Sequence, residues 1–215
     1  MNLAIPPQVL ASERERAVSF GVSRESWQRI EAFVALLFQW QNKINLVSPA
    51  SLPQVWSRHV LDSLQLLPLL PSGTKAIADL GSGSGFPALP LALAVDMEFD
   101  LYESNGKKAA FLQEALRRAG SNARVHNLRL EATETKPVLK QNRVVTARAL
   151  APLSELISLA EPFFDQGATA LFHKGQDLDA ELTEATKYWR IKVRKHQSLT
   201  DSRAVILEVQ EARRA

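Results

Sequence analysis

Ala78-Asp79-Leu80-Gly81-Ser82-Gly83-Ser84-Gly85-Phe86-Pro87 is the stretch on which the reading of this chain turns. It follows a short apolar run, Ala76–Leu80, that reads as a strand, and it opens an apolar run, Phe86–Val95, that reads as a helix. A glycine-rich turn between a strand and a helix is where a ligand can approach the backbone closely. A dinucleotide fingerprint is G-x-G-x-x-G with a pyrophosphate on the helix N-terminus. This chain has G-x-G-x-G, with Asp79 two residues before the first glycine. A carboxylate there repels a pyrophosphate and attracts an ammonium, which favours S-adenosylmethionine (SAM). Glu103 ends the next strand, 24 residues after Asp79, where an acid can accept both ribose hydroxyls. NAD would use that second acid too, so only the first acid and the glycine spacing discriminate.

Outward from the loop, short apolar runs alternate with helical patterns: strand Phe99–Glu103, helix Lys107–Ala119 closed by Gly120, strand Arg124–Leu128, strand Arg143–Ala147, helix Leu153–Phe164, strand Ala168–Phe172 and helix Asp177–Lys187. Strands Trp189–Lys195 and Ala204–Val209 follow with only a turn-rich stretch between them. This pattern predicts an α/β class I SAM-dependent methyltransferase (Rossmann-like) fold. Its seven-stranded, mostly parallel sheet would end in a C-terminal antiparallel hairpin. Tyr188 and Lys192 match a Tyr-x-x-x-Lys dehydrogenase pair, but Trp189, Ile191 and Val193 alternate as in a strand, which separates the two side chains by about 13 Å.

Before Pro71-Ser72-Gly73 the pattern is helical. Ser12 and Glu15 read as a capping box, with Gly21 closing that helix. Trp27, Ile30, Phe33, Val34, Leu37, Trp40 and Ile44 form one face of a long second helix, whose Trp27, Phe33 and Trp40 are read as core. Pro53 to Leu67 continues the helical period up to Pro68. Residues 1–72 are therefore expected to be a helical cap and 73–215 the SAM-dependent domain.

The chain has 215 residues, a formal charge of +3 and no cysteine. That excludes disulfides, zinc–thiolate sites and thiolate nucleophiles, and with them the usual route to methylating a pyrimidine carbon. No metal is expected. An Asn/Asp-Pro-Pro-aromatic motif for exocyclic amines is also missing. A ring nitrogen with a free lone pair, such as guanine N7, needs neither device and no general base. The opening residues lack the pattern of a secretory signal, and the longest apolar run, Phe86 to Val95, is ten residues against the roughly 20 of a spanning helix. A cytoplasmic monomer with no membrane partner is expected.

The residues resemble the RsmG (GidB) family, bacterial SAM-dependent methyltransferases of guanine N7 in 16S rRNA, from Trp40 to Val209. The resemblance is carried by Trp40-Gln41-Asn42-Lys43-Ile44-Asn45-Leu46, Arg58-His59-Val60-Leu61-Asp62-Ser63 and the glycine segment through Pro90. It continues in Glu103-Ser104-Asn105-Gly106-Lys107-Lys108, Arg129-Leu130-Glu131, Thr146-Ala147-Arg148-Ala149 and Lys174-Gly175-Gln176. It implies transfer to guanine 527 of 16S rRNA, free or in the small-subunit particle, with S-adenosylhomocysteine as product. The cofactor site it implies comprises Asp79, Gly81, Ser82, Gly83, Gly85, Phe86, Glu103 and Arg148, with Leu130 and Glu131 near the adenine. Arg129, Arg148, Lys174 and Arg203 fall where the family places basic residues needed for activity. For Arg129 and Arg203 the residues alone leave an ion-pair role equally open, and for Arg58, His59 and Asp62 a helix-packing network competes with pocket lining. Lys107, Lys108, Arg117 and Arg118 offer RNA contacts or a solvated face. Ala88, Glu103 and Val47 depart from the family's common Gly, Asp and Thr or Ser, and His173 stands where an apolar residue is frequent. A SAM enzyme with another substrate, a nucleotide-binding oxidoreductase and a non-catalytic RNA-binding module are the rival readings.

Overall fold

The computed structural model describes residues 7–130 and 144–215. Seven strands, β1 (Ala76–Leu80), β2 (Glu98–Tyr102), β3 (Arg124–His126), β4 (Val144–Arg148), β5 (Thr169–Lys174), β6 (Trp189–Gln197) and β7 (Val205–Arg214), form one sheet in the order β3-β2-β1-β4-β5-β7-β6. The first five are parallel, and β7 runs antiparallel to both β5 and β6. The expected terminal hairpin is present and longer than the sequence suggests, because β7 continues through Arg214 and β6 through Gln197. Strand order reverses between β1 and β4, and open α/β sheets bind ligands in the crevice at such a switch point.

Helices α1 (Pro7–Ser19), α2 (Arg24–Gln41), α4 (Ala88–Ala94) and α5 (Gly106–Ala119) belong to one face of the sheet, α6 (Leu153–Phe164) and α7 (Leu178–Ala185) to the other. The N-terminal segment shares its apolar layer with the sheet: Trp27 packs on Trp56 at 5.0 Å between ring centres, and Phe33 on Phe86 at 5.3 Å. Trp27 and Phe33 are buried, while Trp40 is half-buried against Phe111.

Three helical expectations are corrected. Helix α1 is described from Pro7 onward, so Ser12 and Glu15 lie within it and not at its N-terminus. Helix α2, capped by the Ser23 side chain, stops at Gln41 short of Ile44. The Gln41 amide turns the chain there, its oxygen accepting from the Leu46 and Val47 N–H groups at 3.0 Å each and its nitrogen donating to the Val47 carbonyl. From Pro53 to Pro68 there is no single helix but a 3₁₀ turn (Leu52–Gln54), a π-helical stretch (Trp56–Leu61), one α turn, α3 (Asp62–Leu64), and a second 3₁₀ turn (Leu67–Leu69). π-Helical turns are frequent at functional sites.

Candidate active site

The glycine loop leaves β1 at Leu80 and is bent by positive φ at its glycines. At Gly81 a Cβ would stand 2.5 Å from Leu150, whose side chain lies over the loop; at Gly83, with φ +53°, a Cβ would meet nothing closer than 3.7 Å. Above this loop is a cleft of about 410 Å³ whose walls include Gly81, Ser82, Gly83, Phe86, Glu103 and Arg148. A smaller recess of about 110 Å³ adjoins it, sharing Gly81, Ser104 and Leu150 and adding Leu128, Arg129 and Leu130.

Glu103 is locked in this cleft. One carboxylate oxygen accepts from Gly83 N–H and the other from Asn105 N–H, both at 2.7 Å. Each oxygen keeps a further lone pair for a ligand hydroxyl. Asp79 behaves differently. It is 1% exposed and does not line the cleft, but lies beneath the loop, where Ser82 Oγ donates to its backbone carbonyl. Its Oδ1 accepts from Thr146 Oγ1 at 2.7 Å, and its buried Oδ2 has no hydrogen-bond partner among the described residues. Burial pushes its carboxyl up to about 6.

A second cavity of about 270 Å³ lies beyond β4 and includes Arg58, Asp62, Arg148, His173 and Lys174 in its walls. Arg148 and Ala149 line both this cavity and the glycine-loop cleft. Arg148 Nη2 donates to the Arg58 carbonyl at 2.7 Å, and its Nη1 is 3.3 Å from the Asp62 carboxylate without making a hydrogen bond. Burial lowers the pKa of Arg148, opposed by the attraction of Asp62. Asp62 is itself held by Gln65 Nε2 and Thr200 Oγ1, both at 2.7 Å from Oδ1, while His173 Nε2 lies 2.8 Å from the Asp62 carbonyl. His173, half-buried, is pushed below the ordinary histidine pKa by desolvation. His59 stacks on Phe86 at 5.0 Å in the glycine-loop cleft, and desolvation with the nearby Arg148 lowers it to about 4.

The family model described as rRNA small subunit methyltransferase G matches residues 26–209. The chain belongs to this family. A ribosomal RNA small subunit methyltransferase G of Rhodopseudomonas palustris (strain BisB18) is 50% identical over 95% of this chain and 88% of its own length. One from strain BisA53 of the same species is 47% identical over 98% of this chain and 92% of its own. Among solved structures, an rRNA methylase from Streptococcus thermophilus shares the fold with a TM-score of 0.51 at 13% identity, over 72% of this chain and 96% of that one.

Of the residues expected to hold the cofactor, Gly81, Ser82, Gly83, Phe86, Glu103 and Arg148 come together around the cleft, and Leu130 lines the recess beside it. Gly85 shapes the loop from behind, packed on Leu89 and Leu112, and Asp79 supports it from below. Glu131 lies outside the described residues. Of the basic residues, Arg148 and Lys174 share the second cavity, Arg129 lines the recess, and Arg203 is exposed and paired with Asp201 at 3.4 Å. Lys174 is not a free cation: its Nζ is 2.5 Å from Glu181 Oε2, which also accepts from the Leu153 N–H at the start of α6. Arg58 and Asp62 line the second cavity and His59 the glycine-loop cleft, and all three also make hydrogen bonds that pack the segment. Tyr188 precedes β6 and Lys192 lies within it, so the dehydrogenase pair is not on a helix face.

Thr146, Leu150 and Glu181 went unassigned in the sequence. Thr146 was within reach of inspection, since Val144, Thr146 and Arg148 alternate onto one face of a strand that pairs in register with Ile77 and Asp79. Leu150 and Glu181 carry no local signature. Among the described residues no group of three or more His, Asp or Glu is placed to hold a metal, and no helix is long and apolar enough to cross a membrane.

Proposed function

We propose that this chain transfers a methyl group from S-adenosylmethionine to N7 of a guanine in 16S rRNA, guanine 527 by family resemblance, with S-adenosylhomocysteine as product. The observation that carries the reading is the shared wall Arg148–Ala149, which sets a glycine-loop cleft directly beside a polar cavity. The residues fit SAM: the cleft is within the range of small-molecule sites, its loop has no side chain to block close approach at Gly83, and Glu103 is fixed with acceptor capacity left. When bound, SAM supplies an electrophilic sulfonium methyl.

The rest is the protein's work. Glu103 accepts from the ribose hydroxyls, and the recess at Leu128–Leu130 takes the adenine. Asp79, ionised above about pH 6, places a negative charge with an unfilled oxygen under the loop, favourable to an ammonium and adverse to a diphosphate. Arg148 and Lys174 line the cavity that receives the base, where a cation donates to guanine O6 as it does in groove recognition. Guanine N7 carries its own lone pair, so the residues align and polarise without removing a proton. Residues 1–72 act as a cap, contributing Arg58 and His59 from the π-helical stretch and Asp62 from the α turn that follows it. The partner is the rRNA or the small-subunit particle, the setting the cytoplasm, and the working form a monomer.

The test is transfer. Methyl-labelled SAM with 16S rRNA from cells lacking the modification should label the RNA, and NAD should neither bind nor compete. Unlabelled RNA, or displacement of SAM by NAD, overturns the reading.

A further inference from the structure

The cations of this chain are unevenly committed. On α5, Arg117 and Arg118 both close on Glu114, at 2.8 and 2.6 Å, so both guanidinium groups are tied to one carboxylate and the cluster keeps a single net positive charge. On the outermost strand, β6, Arg190, Lys192 and Arg194 alternate onto one face and all are exposed. Trp189, Ile191 and Val193 turn the other way, into the apolar layer of α6 and α7. Among the described residues neither Arg190 nor Arg194 has a carboxylate within ion-pair distance, and Lys192 reaches Glu211 only at 4.0 Å. In the register Arg190 stands opposite a further cation, Arg213, whereas Lys192 faces Glu211 and Arg194 faces Glu208. The acids on this face are outnumbered, and Glu208 is occupied by His196 and Gln210.

The stripe is aimed at the site. Ile206 of β7 pairs with His173 on one side and with His196 on the other, so the row that ends in the second cavity continues laterally to β6. Arg194 lies two residues further along the same face. The turn joining the two strands brings Thr200 and Asp201 to the wall of that cavity. Alternate residues of a strand are about 6.6 Å apart, so the three cations span about 13 Å, a spacing comparable with successive phosphates of a nucleic-acid strand.

We propose that this face of β6 is a phosphate track along which the rRNA backbone lies as it leaves the acceptor cavity, with Arg190, Lys192 and Arg194 each contacting a phosphate. The inference rests on the rRNA substrate proposed above and names the surface that grips it. Lysines and arginines on an edge strand also guard against strand addition, and a pure guard gives a different experimental result.

The experiment compares wild type with Arg190→Gln/Lys192→Gln/Arg194→Gln, and with Arg117→Gln/Arg118→Gln on α5 as control. SAM affinity is read by calorimetry, and the 16S rRNA dissociation constant is read across a salt series. Each lost phosphate contact removes about 0.7–0.9 from the slope of log K against log salt. The triple variant should therefore lose about 2–3 of slope and bind rRNA at least about tenfold more weakly, with SAM affinity unchanged. The α5 control should bind rRNA like wild type. Should the triple variant not fold, Arg194→Gln alone should lose about one unit of slope. Wild-type rRNA affinity and slope in the β6 variants overturn the track while leaving the substrate reading intact, and so does an equal loss in the α5 control. A wild-type protein that neither binds nor methylates rRNA removes the substrate reading and the track together.

Discussion

The guanidinium of Arg148, at the end of β4, stands 3.3 Å from the carboxylate of Asp62, in the helical segment that precedes the sheet. This contact ties the N-terminal layer to the wall shared by the two cavities. Removing one partner of a buried pair leaves the other uncompensated and costs about 3–5 kcal/mol. Arg148→Ala should lose stability toward the lower end of that range, since Gln65 and Thr200 still hold Asp62. Adding Asp62→Asn should recover part of the stability and none of the methyl transfer. Denaturant titration and labelled-methyl assays on both variants check this; recovery of activity in the double variant would make Arg148 a structural residue only.

The glycine loop separates space from strain. Gly81→Ala drives its Cβ against Leu150 and should destabilise the fold as well as the site. Gly83→Ala has room in the structure, so it should cost only the about 1–2 kcal/mol of a left-handed residue while weakening SAM at least tenfold, because the added methyl stands where the cofactor must approach. Calorimetry with thermal melts distinguishes the two. Equal SAM affinity in Gly83→Ala and wild type would remove the loop from the binding site.

Asp79 couples stability to pH with a definite sign. Its folded pKa of about 6 lies above the ordinary aspartate value of 3.8, so the folded state holds the proton more tightly. The contribution is fully present below pH 3.8 and is lost as pH rises through about 6, amounting to on the order of 3 kcal/mol. His59, lowered to about 4, acts in the opposite direction over a similar window, so wild type alone is uninformative. The stability difference between wild type and Asp79→Asn should shift by on the order of 3 kcal/mol in favour of the variant between pH 4 and pH 7, while the variant binds SAM more weakly. A pH-independent difference contradicts the buried charge.

The sheet was legible because its information is local. Ala76–Leu80 and Leu153–Phe164 have the boundaries read from periodicity, and the absence of a helix between Trp189 and Val209 announced the antiparallel hairpin. The segment around Arg58, His59 and Asp62 was not, since its spacing fits an α-helix and only packing against β4 and the β6–β7 turn selects the wider π-helical turn. That the glycine loop and Glu103 share one cleft could be read from the strand ends on which they stand. That Asp79 lies beneath the loop, and that Lys174 is held by Glu181 from α7, depends on contacts across many residues of chain that no spacing encodes.

The central claim is that a methyl donor and a guanine meet across Arg148. The most direct measurement is to map the base that acquires label when wild-type protein, labelled SAM and unmodified 16S rRNA are incubated together. The account predicts one site, at N7 of a single guanine, and its loss in Arg148→Ala with SAM still bound. Label on an exocyclic amine, on a pyrimidine carbon, or on many guanines without preference would contradict it.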